Sequence, residues 1–411
     1  MTEDILTPFL DDADVILYAG DCIEVMRRMP GSSVDAIVTD PPYGLEFMGK
    51  GWDGFGTPLG FQTWTEAWAV EAFRILKPGG HLLAFAGTRT YHRMASGVED
   101  AGFEIRDCIA WMYGSGFPKS LDVSKAIDKA AGAEREVIST DRNYGASKAA
   151  DGKQAYGDYA GEWNVTAPVS PDAVKWNGWG TALKPAFEPV VVARRPLIGT
   201  VAANVLEHGT GALNIDACRI GTEAVGWGGG GSKLYEGGLS TDGGDPRPAT
   251  GRWPANIALD ATAAAMLDEQ SGHQKDGTTY LDNRTHDYDA TSYKIVDNCG
   301  GTRGYGGEGG ASRFFYTAKA SRQDRNVGGL ADNTHPTVKP TDLMRWLIRL
   351  VTPPGGIILD PFGGSGSTGL AARAENVRCI LIEREPEYLQ IIRDRLAQQN
   401  LFATETTTDA T

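Results

Sequence analysis

The sequence contains few cysteines, and none of them stands close to another. The five are Cys22, Cys108, Cys218, Cys299 and Cys379. An odd number without a close pair argues against a disulfide framework and against a CxxC zinc site. The six histidines form no HxxxH pair. We therefore expect reduced thiols and no metal site.

Long apolar runs are also missing from the chain. No stretch of ~18 apolar residues is present, so no segment is expected to cross a membrane. The first residues, Met1-Thr2-Glu3-Asp4, have neither the basic region nor the apolar region of a secretory signal peptide. The sequence therefore predicts a cytoplasmic protein.

Positive charge is in short supply. Lys and Arg number 39 against 53 Asp and Glu, which gives a net charge of −14 at pH 7. Nucleic-acid binding normally uses a basic surface. A net charge is a sum over the whole molecule, however, whereas phosphate binding needs only a local basic groove. The acidic balance argues against tight non-specific binding to DNA, and it leaves a DNA substrate possible.

Both ends of the chain alternate apolar strands with amphipathic helices. Near the N-terminus the pattern predicts strands over 15–18, 34–39, 81–85 and 104–111, and helices over 65–76 and 90–101. Near the C-terminus it predicts strands over 357–359 and 378–382, and helices over 342–351, 367–374 and 386–397. Such alternation predicts an α/β fold with a mostly parallel sheet.

The middle of the chain is rich in glycine. The enrichment runs from Gly221 to Gly310 and includes an unbroken run from Gly228 to Gly231. Glycine at this density indicates a loop-rich segment. The segment is either a linker between two domains or a large insertion in one sheet.

The first motif with a chemical meaning is Asp40-Pro41-Pro42-Tyr43, at the carboxyl end of a predicted strand. Open α/β sheets bind ligands at that edge. An exocyclic base amine is a weak nucleophile, and its lone pair is freed when both N–H bonds are accepted. The Asp40 carboxylate and the Pro41 carbonyl can supply those acceptors, and Tyr43 can stack on a base. A plain turn that ends the strand is the alternative.

The second motif is a glycine loop that follows a strand and opens a helix. It reads Asp360-Pro361-Phe362-Gly363-Gly364-Ser365-Gly366-Ser367-Thr368-Gly369. Glu383 ends the next strand roughly 20 residues later, the spacing of an acid that binds ribose hydroxyls. No lysine precedes Ser367, so the loop is not a P-loop. A strand-to-helix turn that needs glycine only for its backbone is the alternative.

Two shorter segments are open to more than one interpretation. Asp21, beside Cys22 after the first strand, can cap a helix or accept a hydrogen bond from an adenine amine. Thr337 and Lys339, in a proline-rich segment before a helix, can hold a carboxylate. A proline-rich loop without a ligand would have the same sequence.

Together these motifs resemble the DNA amino-methyltransferases that act on adenine N6 or cytosine N4, in the permuted (β) order with the catalytic motif first. The resemblance implies a Rossmann-like seven-stranded sheet with large loop-rich insertions. It also implies S-adenosyl-L-methionine as cofactor and double-stranded DNA as partner. Members often carry a lysine and an asparagine in the segment that here reads Trp111-Met112-Tyr113-Gly114-Ser115, so the base pocket departs from that pattern.

The resemblance assigns roles residue by residue. It implies that Asp40, Pro41, Pro42 and Tyr43 form the catalytic loop. It further implies that Glu383 binds the ribose, that Asp21 and Cys22 bind the adenine, and that Thr337 and Lys339 grip the methionine carboxylate. The cofactor residues that it places in the glycine loop are Asp360, Phe362, Gly363, Gly364, Ser365, Gly366 and Thr368.

The matched segments also predict a division of the chain. The catalytic half covers 12–118 and the cofactor-binding half 335–399, while 181–197, which includes Leu183 to Val191, supplies a closing strand. The remaining pieces are an insertion at 119–180, a target-recognition region at 198–334 and a disordered tail at 400–411.

Several basic residues lie near aromatic ones in the sequence. They are Arg194, Arg195, Arg303, Arg313, Lys319, Arg322 and Arg325, with Trp227, Tyr305, Phe314, Phe315 and Tyr316. The mixture is typical of a DNA-reading surface, and equally of solvated charges beside small aromatic clusters.

The resulting hypothesis is a site-specific methyltransferase that flips adenine out of DNA and methylates N6, as part of restriction-modification, with homodimerisation left open. Asp40 favours adenine, because in this family serine at that position is more typical of cytosine N4 enzymes. Cytosine N4 is the first alternative, and a dinucleotide-dependent oxidoreductase is a more distant one. An RNA or protein amide methyltransferase and a non-catalytic nucleic-acid-binding protein complete the alternatives.

Overall fold

A computed structural model describes residues 6–45, 53–114, 116, 120–141, 163–225, 249–275, 308–318 and 338–405. Within these ranges the chain forms a ten-stranded sheet and three two-stranded sheets. No helix in the described part is long and apolar enough to cross a membrane.

The elements alternate along most of the chain. The strands are β1 (Leu10–Asp11), β2 (Val15–Ala19), β3 (Val34–Thr39), β4 (Leu76–Phe85), β5 (Glu104–Met112), β6 (Val137–Asp141), β7 (Trp163–Thr166), β8 (Phe187–Arg194), β9 (Ile220–Val225), β10 (Ala249–Arg252), β11 (Ile257–Asp260), β12 (Gln274–Lys275), β13 (Glu308–Gly309), β14 (Tyr316–Ala318), β15 (Ile357–Asp360) and β16 (Arg378–Glu383). The helices are α1 (Cys22–Arg28), α2 (Pro58–Ile75), α3 (Tyr91–Asp100), α4 (Val123–Ala130), α5 (Pro171–Lys175), α6 (Val201–His208), α7 (Ala261–Ser271), α8 (Thr341–Val351), α9 (Ser367–Ala374) and α10 (Pro386–Glu405). Short 3₁₀ turns lie at Asp216–Cys218 and Ala311–Phe314.

The large sheet has the order β1-β2-β16-β15-β3-β4-β8-β5-β11-β14. The seven strands from β2 to β5 are the predicted methyltransferase sheet, in which β8 runs antiparallel to both of its neighbours. β1 adds an antiparallel edge at one side, and β11 and β14 extend the other side in parallel. The predicted α/β class is confirmed, and three strands extend the seven-stranded core.

The two α/β halves of the chain build one sheet. β15 pairs with β3, where Ile358 and Leu359 face Ala36 and Ile37. β16 pairs with β2 along five residue pairs. The glycine-rich middle is therefore an insertion in one sheet and not a linker between two domains.

Apolar clusters cover both faces of the sheet, because successive residues of each buried strand point to opposite sides. Ala36 and Val38 of β3 pack in the cluster that contains α8 and α9. Ile37 packs on the other face with α1, α2 and α3, around Trp68. All six residues of β3 are buried, as expected for a parallel strand covered on both sides.

Three boundaries differ from the sequence-based expectation. Helix α2 begins at Pro58, seven residues before the predicted start, because the Thr57 hydroxyl caps the Gly60 N–H at 2.9 Å and proline suits the first turn. Strand β4 begins at Leu76, which pairs with Val34, so residues 77–80 belong to the strand. Helix α10 continues to Glu405, past the predicted start of the tail at 400.

Candidate active site

The predicted catalytic loop, residues 40–43, begins where β3 ends, beside the strand that carries the glycine loop. Asp40 accepts hydrogen bonds on both carboxylate oxygens: Oδ1 from the Tyr43 hydroxyl at 2.8 Å and Oδ2 from the Lys339 ammonium at 2.7 Å. The Asp53 carboxylate clamps the end of the loop by accepting the N–H groups of Gly44 and Leu45 at 2.7 and 3.0 Å. The loop is therefore held by its own Tyr43 and by two side chains from outside it, Asp53 and Lys339.

Lys339 joins two carboxylates that are far apart in the sequence. Its ammonium lies 2.7 Å from Asp40 and 3.1 Å from Oε2 of Glu188, and only 7% of its side chain is exposed. Burial alone would lower the pKa of Lys339, but Asp40 and Glu188 outweigh it and raise the pKa above its ordinary value. The ammonium also lies near the rings of Tyr43 and Phe85. Lys339 is thus a permanent cation at the catalytic loop.

Asp360 supports the glycine loop from below. Its carboxylate accepts the Thr368 hydroxyl at 2.5 Å, the Thr39 hydroxyl at 2.6 Å and the Phe362 N–H at 3.0 Å. Burial raises the pKa of Asp360 to about 7, against the hydrogen bonds, which lower it. Both carboxylate oxygens of Asp360 therefore accept hydrogen bonds from the protein itself. In the structure Asp360 holds the predicted cofactor loop in place.

The turn of the glycine loop depends on left-handed backbone. Gly364 and Gly366 have φ of +53° and +80°, a region that residues with a side chain rarely adopt. Arg395 of α10 donates to the Ser365 carbonyl and, at 3.0 Å, to the Ser365 hydroxyl. The conformation of the loop is thus set by its glycines and by hydrogen bonds from the buried guanidinium of Arg395.

Glu383 ends β16 next to that loop. Its Oε2 accepts the Gly364 N–H at 2.7 Å, and its Oε1 accepts the N–H groups of Arg384 and Glu385, both at 2.8 Å. Burial raises the pKa of Glu383, although these N–H groups act in the opposite direction. The carboxylate is oriented by three backbone donors and retains lone pairs for hydroxyl groups in the cavity.

Asp21 and Cys22 lie at the start of α1, where the resemblance places the adenine. Asp21 caps the helix by accepting the Ile23 N–H at 3.0 Å, which agrees with the helix-capping interpretation of the sequence. Cys22 is buried, and burial raises the pKa of its thiol to about 12, so it stays a neutral thiol. On the glycine-loop side, the Phe362 ring packs against Trp64 at 5.5 Å, which supplies an aromatic wall.

One cavity of about 1460 Å³ connects these parts. This volume exceeds the ~300–1,000 Å³ of most ligand pockets and gives room for a cofactor beside a base. The predicted residues that line the cavity are Asp21, Cys22, Asp40, Pro41, Pro42, Tyr43, Lys339, Asp360, Phe362, Gly363, Gly364, Ser365, Thr368 and Glu383. The cavity offers a carboxylate that can accept ribose hydroxyls, an aromatic surface and a glycine loop. These groups fit S-adenosyl-L-methionine. Gly366, also predicted to bind the cofactor, is not among the lining residues, and Thr337 lies outside the described residues.

Sequence reasoning did not single out three residues that shape this site. Glu188 lines the cavity from the start of β8, Asp53 clamps the catalytic loop, and Arg395 holds the glycine loop. Glu188 has a recognisable signal, because the beginning of an antiparallel strand lies at the edge where its parallel neighbours end. Asp53 and Arg395 have no such signal in the sequence, because no motif or spacing links either of them to the loop that it contacts.

The basic and aromatic residues are dispersed. Arg194 pairs with Glu104 at 2.6 Å, and Tyr316 stacks on Trp346 at 4.8 Å, so both serve the fold. Phe314 is 41% exposed beneath the guanidinium of Arg313. Arg303, Lys319, Arg322, Arg325, Trp227 and Tyr305 lie outside the described residues. Among the residues that are described, no group of three or more His, Cys, Asp or Glu is arranged to hold a metal ion.

Comparison with known proteins gives several matches. The type II methyltransferase M.HindIII of Haemophilus influenzae is 22% identical, with 92% of this chain and 94% of that protein covered. The type II methyltransferase M.XycI of Xanthomonas campestris pv. cyanopsidis is 38% identical over 22% of this chain and 34% of its own length. The solved structure of PvuII DNA methyltransferase (cytosine-N4-specific) is 15% identical, covers 94% of this chain and 88% of its own, and has a TM-score of 0.45. That of M1.HpyAVI is 16% identical, with 93% and 98% covered and a TM-score of 0.39.

A sequence profile of the N6/N4 DNA methylase family matches residues 34–160 and 266–394, which together make up more than half of the chain. The matched ranges contain both the catalytic loop and the glycine loop that line the shared cavity. This chain therefore belongs to the N6/N4 family of DNA methylases, enzymes that use S-adenosyl-L-methionine as the methyl donor.

Proposed function

We propose that the protein methylates adenine N6 at specific sites in double-stranded DNA, after flipping the target base into the cavity. The observation that carries the proposal is the shared cavity, in which the Asp40 loop and the Glu383-glycine loop face the same space. A base amine held at the first and a methyl donor held at the second would be close enough to react. Base flipping follows because the amine of a base inside the duplex cannot reach an enclosed site.

Asp40 and Pro41 are the acceptors for the two amine N–H bonds. The Asp40 carboxylate lies at the end of β3 and is oriented by Tyr43 and Lys339. Proline at 41 supplies a carbonyl without a competing N–H. S-Adenosyl-L-methionine supplies an electrophilic methyl group on a sulfonium. Accepting both N–H bonds directs the amine lone pair toward that methyl group.

The cofactor is held by residues of both halves of the chain. Glu383 would bind the ribose hydroxyls, and the residues from Phe362 to Gly366 would lie on the methionine side. Asp21 and Cys22 close the adenine side. Thr337 is proposed as a ligand of the methionine carboxylate.

The second proposed ligand of that carboxylate, Lys339, has competing partners. In the structure its ammonium contacts Asp40 and Glu188, so a methionine carboxylate would be a third acceptor for the same cation. An ammonium has three N–H donors, and Tyr43 occupies the remaining contact at 3.1 Å. We propose that Lys339 serves mainly the catalytic loop.

Adenine is favoured over cytosine because Asp40 heads the loop, and the alternative product is N4-methylcytosine. Residues 198–334 are proposed to recognise the DNA sequence, and similarity to the type II methyltransferases M.HindIII and M.XycI supports a place in restriction-modification. Because the whole chain has a net charge of −14, DNA binding would need a local basic groove in that region. Location in the cytoplasm fits this role.

Methylation of duplex DNA followed by mass spectrometry of the digested product tests the function. Purified protein, S-adenosyl-L-methionine and plasmid DNA should give N6-methyladenine. A product containing only N4-methylcytosine would replace the base assignment and keep the enzyme class. No methylated base in DNA bearing diverse sequences, with a cofactor-loaded protein, would contradict the function itself.

A further inference from the structure

Glu188 is a carboxylate in the cavity to which the proposed function gives no role. It lies at the start of β8, which runs antiparallel between β4 and β5, so its side chain reaches the sheet edge where β3 ends at the catalytic loop. Oε2 of Glu188 accepts the Tyr43 hydroxyl at 3.0 Å and the Lys339 ammonium at 3.1 Å. Its side chain is 22% exposed, which is low for a charged residue next to a large cavity.

Tyr43 joins Glu188 to Asp40 through a single hydroxyl. The oxygen lies 2.8 Å from Oδ1 of Asp40 and 3.0 Å from Oε2 of Glu188. Burial, followed by the two neighbouring carboxylates, raises the pKa of Tyr43 well above its ordinary value, so the hydroxyl keeps its proton. A phenol has one proton to donate, and it can therefore serve either carboxylate but not both at once.

The reaction leaves a proton to be removed at this place. When the bond between the amine nitrogen and the methyl carbon forms, the carbon–sulfur bond breaks and its electron pair stays on sulfur, which becomes neutral. As that bond forms, the nitrogen gains positive charge, which it loses by releasing one proton in the same step. Asp40, which accepts an N–H bond from the amine, is the nearest base.

We propose that Glu188 is a positioning residue of the methyl transfer, which receives through the Tyr43 hydroxyl the proton that the target amine releases. The inference rests on the proposed function, although it holds for adenine and cytosine alike. Asp40 takes the proton. In the same step it passes a proton to the Tyr43 oxygen while the proton of Tyr43 moves to Oε2 of Glu188, so that Asp40 leaves the step as an anion.

The charges of the cluster suit this transfer. Asp40, Glu188 and Lys339 carry two negative charges and one positive charge, so the ionised cluster has an excess negative charge that one proton neutralises. Lys339 also bridges the two carboxylates, but its raised pKa means that it holds its protons. It stabilises the cluster as a fixed cation, and Tyr43 remains the group through which a proton can pass.

Two substitutions at Glu188 separate proton acceptance from shape. Glu188→Gln keeps the length of the side chain and its hydrogen-bond acceptor but cannot take up a proton. Glu188→Asp is shorter and keeps the carboxylate. A merely structural Glu188 would be replaced better by glutamine, whereas a proton-accepting Glu188 would be replaced better by aspartate.

The matched control is Glu104→Gln, which removes a carboxylate of β5 that pairs at 2.6 Å with Arg194 of β8, the strand that carries Glu188. Glu104 is not among the residues that line the cavity. The experiment measures the single-turnover methylation rate on duplex DNA, the KM for S-adenosyl-L-methionine and the melting temperature of each full-length variant and of the unsubstituted protein. Activity of the unsubstituted protein tests the proposed function independently of Glu188.

We expect Glu188→Gln to lower the single-turnover rate by about 10²-fold, the lower end of the range for general acid–base assistance, with KM and melting temperature unchanged. Glu188→Asp should retain more activity than Glu188→Gln, and Glu104→Gln should match the unsubstituted protein. A Glu188→Gln enzyme as fast as the unsubstituted protein, or faster than Glu188→Asp, would overturn the assignment. A rise in KM without a change in rate would overturn it as well.

Discussion

The Thr39 hydroxyl donates to the Asp360 carboxylate across 2.6 Å. Thr39 is the last residue of β3 and Asp360 the last of β15, so this bond joins the strand that carries the catalytic loop to the strand that carries the glycine loop. Asp360 is 2% exposed. A buried acid thus links the two strand ends from which the predicted catalytic loop and the glycine loop begin.

Because of Asp360, the free energy of unfolding should decrease as the pH rises from about 4 to about 7. Burial raises the pKa of Asp360 from an ordinary 3.8 to about 7. In this window the folded protein holds a proton that the unfolded chain has lost, so the free energy of unfolding decreases as pH rises. We expect Asp360→Asn to reduce this decrease by on the order of a few kcal/mol.

Urea unfolding of both proteins at pH 5 and pH 8 measures the effect. Asp216→Asn is the control, because the Asp216 side chain is 86% exposed and should leave the pH dependence unaltered. Equal pH dependence in Asp360→Asn and the unsubstituted protein would show that the carboxyl is ionised throughout.

Asp40→Ala should abolish methyl transfer without weakening the cofactor complex. The carboxylate is expected to contact the target amine, and losing a charged acceptor in the transition state costs on the order of 10²-fold or more in rate. Methylation rates and calorimetric titration with S-adenosyl-L-methionine measure the two effects separately. Turnover equal to that of the unsubstituted protein would remove Asp40 from the reaction.

Glu383→Ala should weaken S-adenosyl-L-methionine binding by about 1.5–3 kcal/mol, the range for a hydrogen bond to a charged group. The substitution also leaves the Gly364, Arg384 and Glu385 N–H groups without their present acceptor. Glu387→Ala, an exposed change on the next helix, is the control. Unchanged calorimetric affinity in Glu383→Ala would rule out Glu383 as the ribose ligand.

Gly366→Ala should weaken both folding and cofactor binding. Its φ of +80° is left-handed, and an added Cβ would lie 3.2 Å from Ile392. Gly355→Ala places the same methyl group at φ +70° with nothing within 4 Å, outside the residues that line the cavity. Both variants should lose about 1–2 kcal/mol of stability through backbone strain.

Only Gly366→Ala should also lose cofactor affinity, because Gly366 stands between Ser365 and Ser367, which line the cavity, whereas neither neighbour of Gly355 lines it. Thermal unfolding and calorimetry on the two variants make the comparison. Equal affinity in both would mean that the shape of the glycine loop does not govern binding.

Exchange of parts of 198–334 with a relative should change the methylated site and keep the modified base. β11 and β14 belong to the central sheet, so the exchange should retain 257–260 and 316–318 and replace the segments between them. Methylome sequencing of cells that express the hybrid reports both site and base. A change of base at an unchanged site would contradict a role in recognition.

The parts of the fold that sequence predicts well are those with strong local periodicity. The strand over 378–382 and the helix over 367–374 appear within one residue of their predicted limits, because apolar spacing, glycine and proline mark their ends. β11 and β14 were missed, because short strands in a glycine-rich segment have too few residues to show a period. The pairing of β11 with β5, and of β14 with β11, is a tertiary effect.

The sequence predicted the individual residues of the site better than the contacts between them. Spacing indicated Asp40, the glycine loop and Glu383, and the structure brings them to one cavity. The contact between Lys339 and Asp40 joins residues that lie about 300 positions apart, and no local pattern encodes it. Glu188 escaped notice because its importance follows from the direction of β8 between two other strands.

The strand order has a consequence for how the chain is made. β2 and β3 are neighbours in the sequence, yet β16 and β15 lie between them in the sheet. While a ribosome is still producing the middle of the chain, the first strands therefore have an open slot where two central partners belong. Only after the residues up to Glu383 emerge can that slot close, and contacts between such distant segments form slowly. The chain must be synthesised up to Glu383 before the loop that begins at Asp40 has a neighbouring glycine loop.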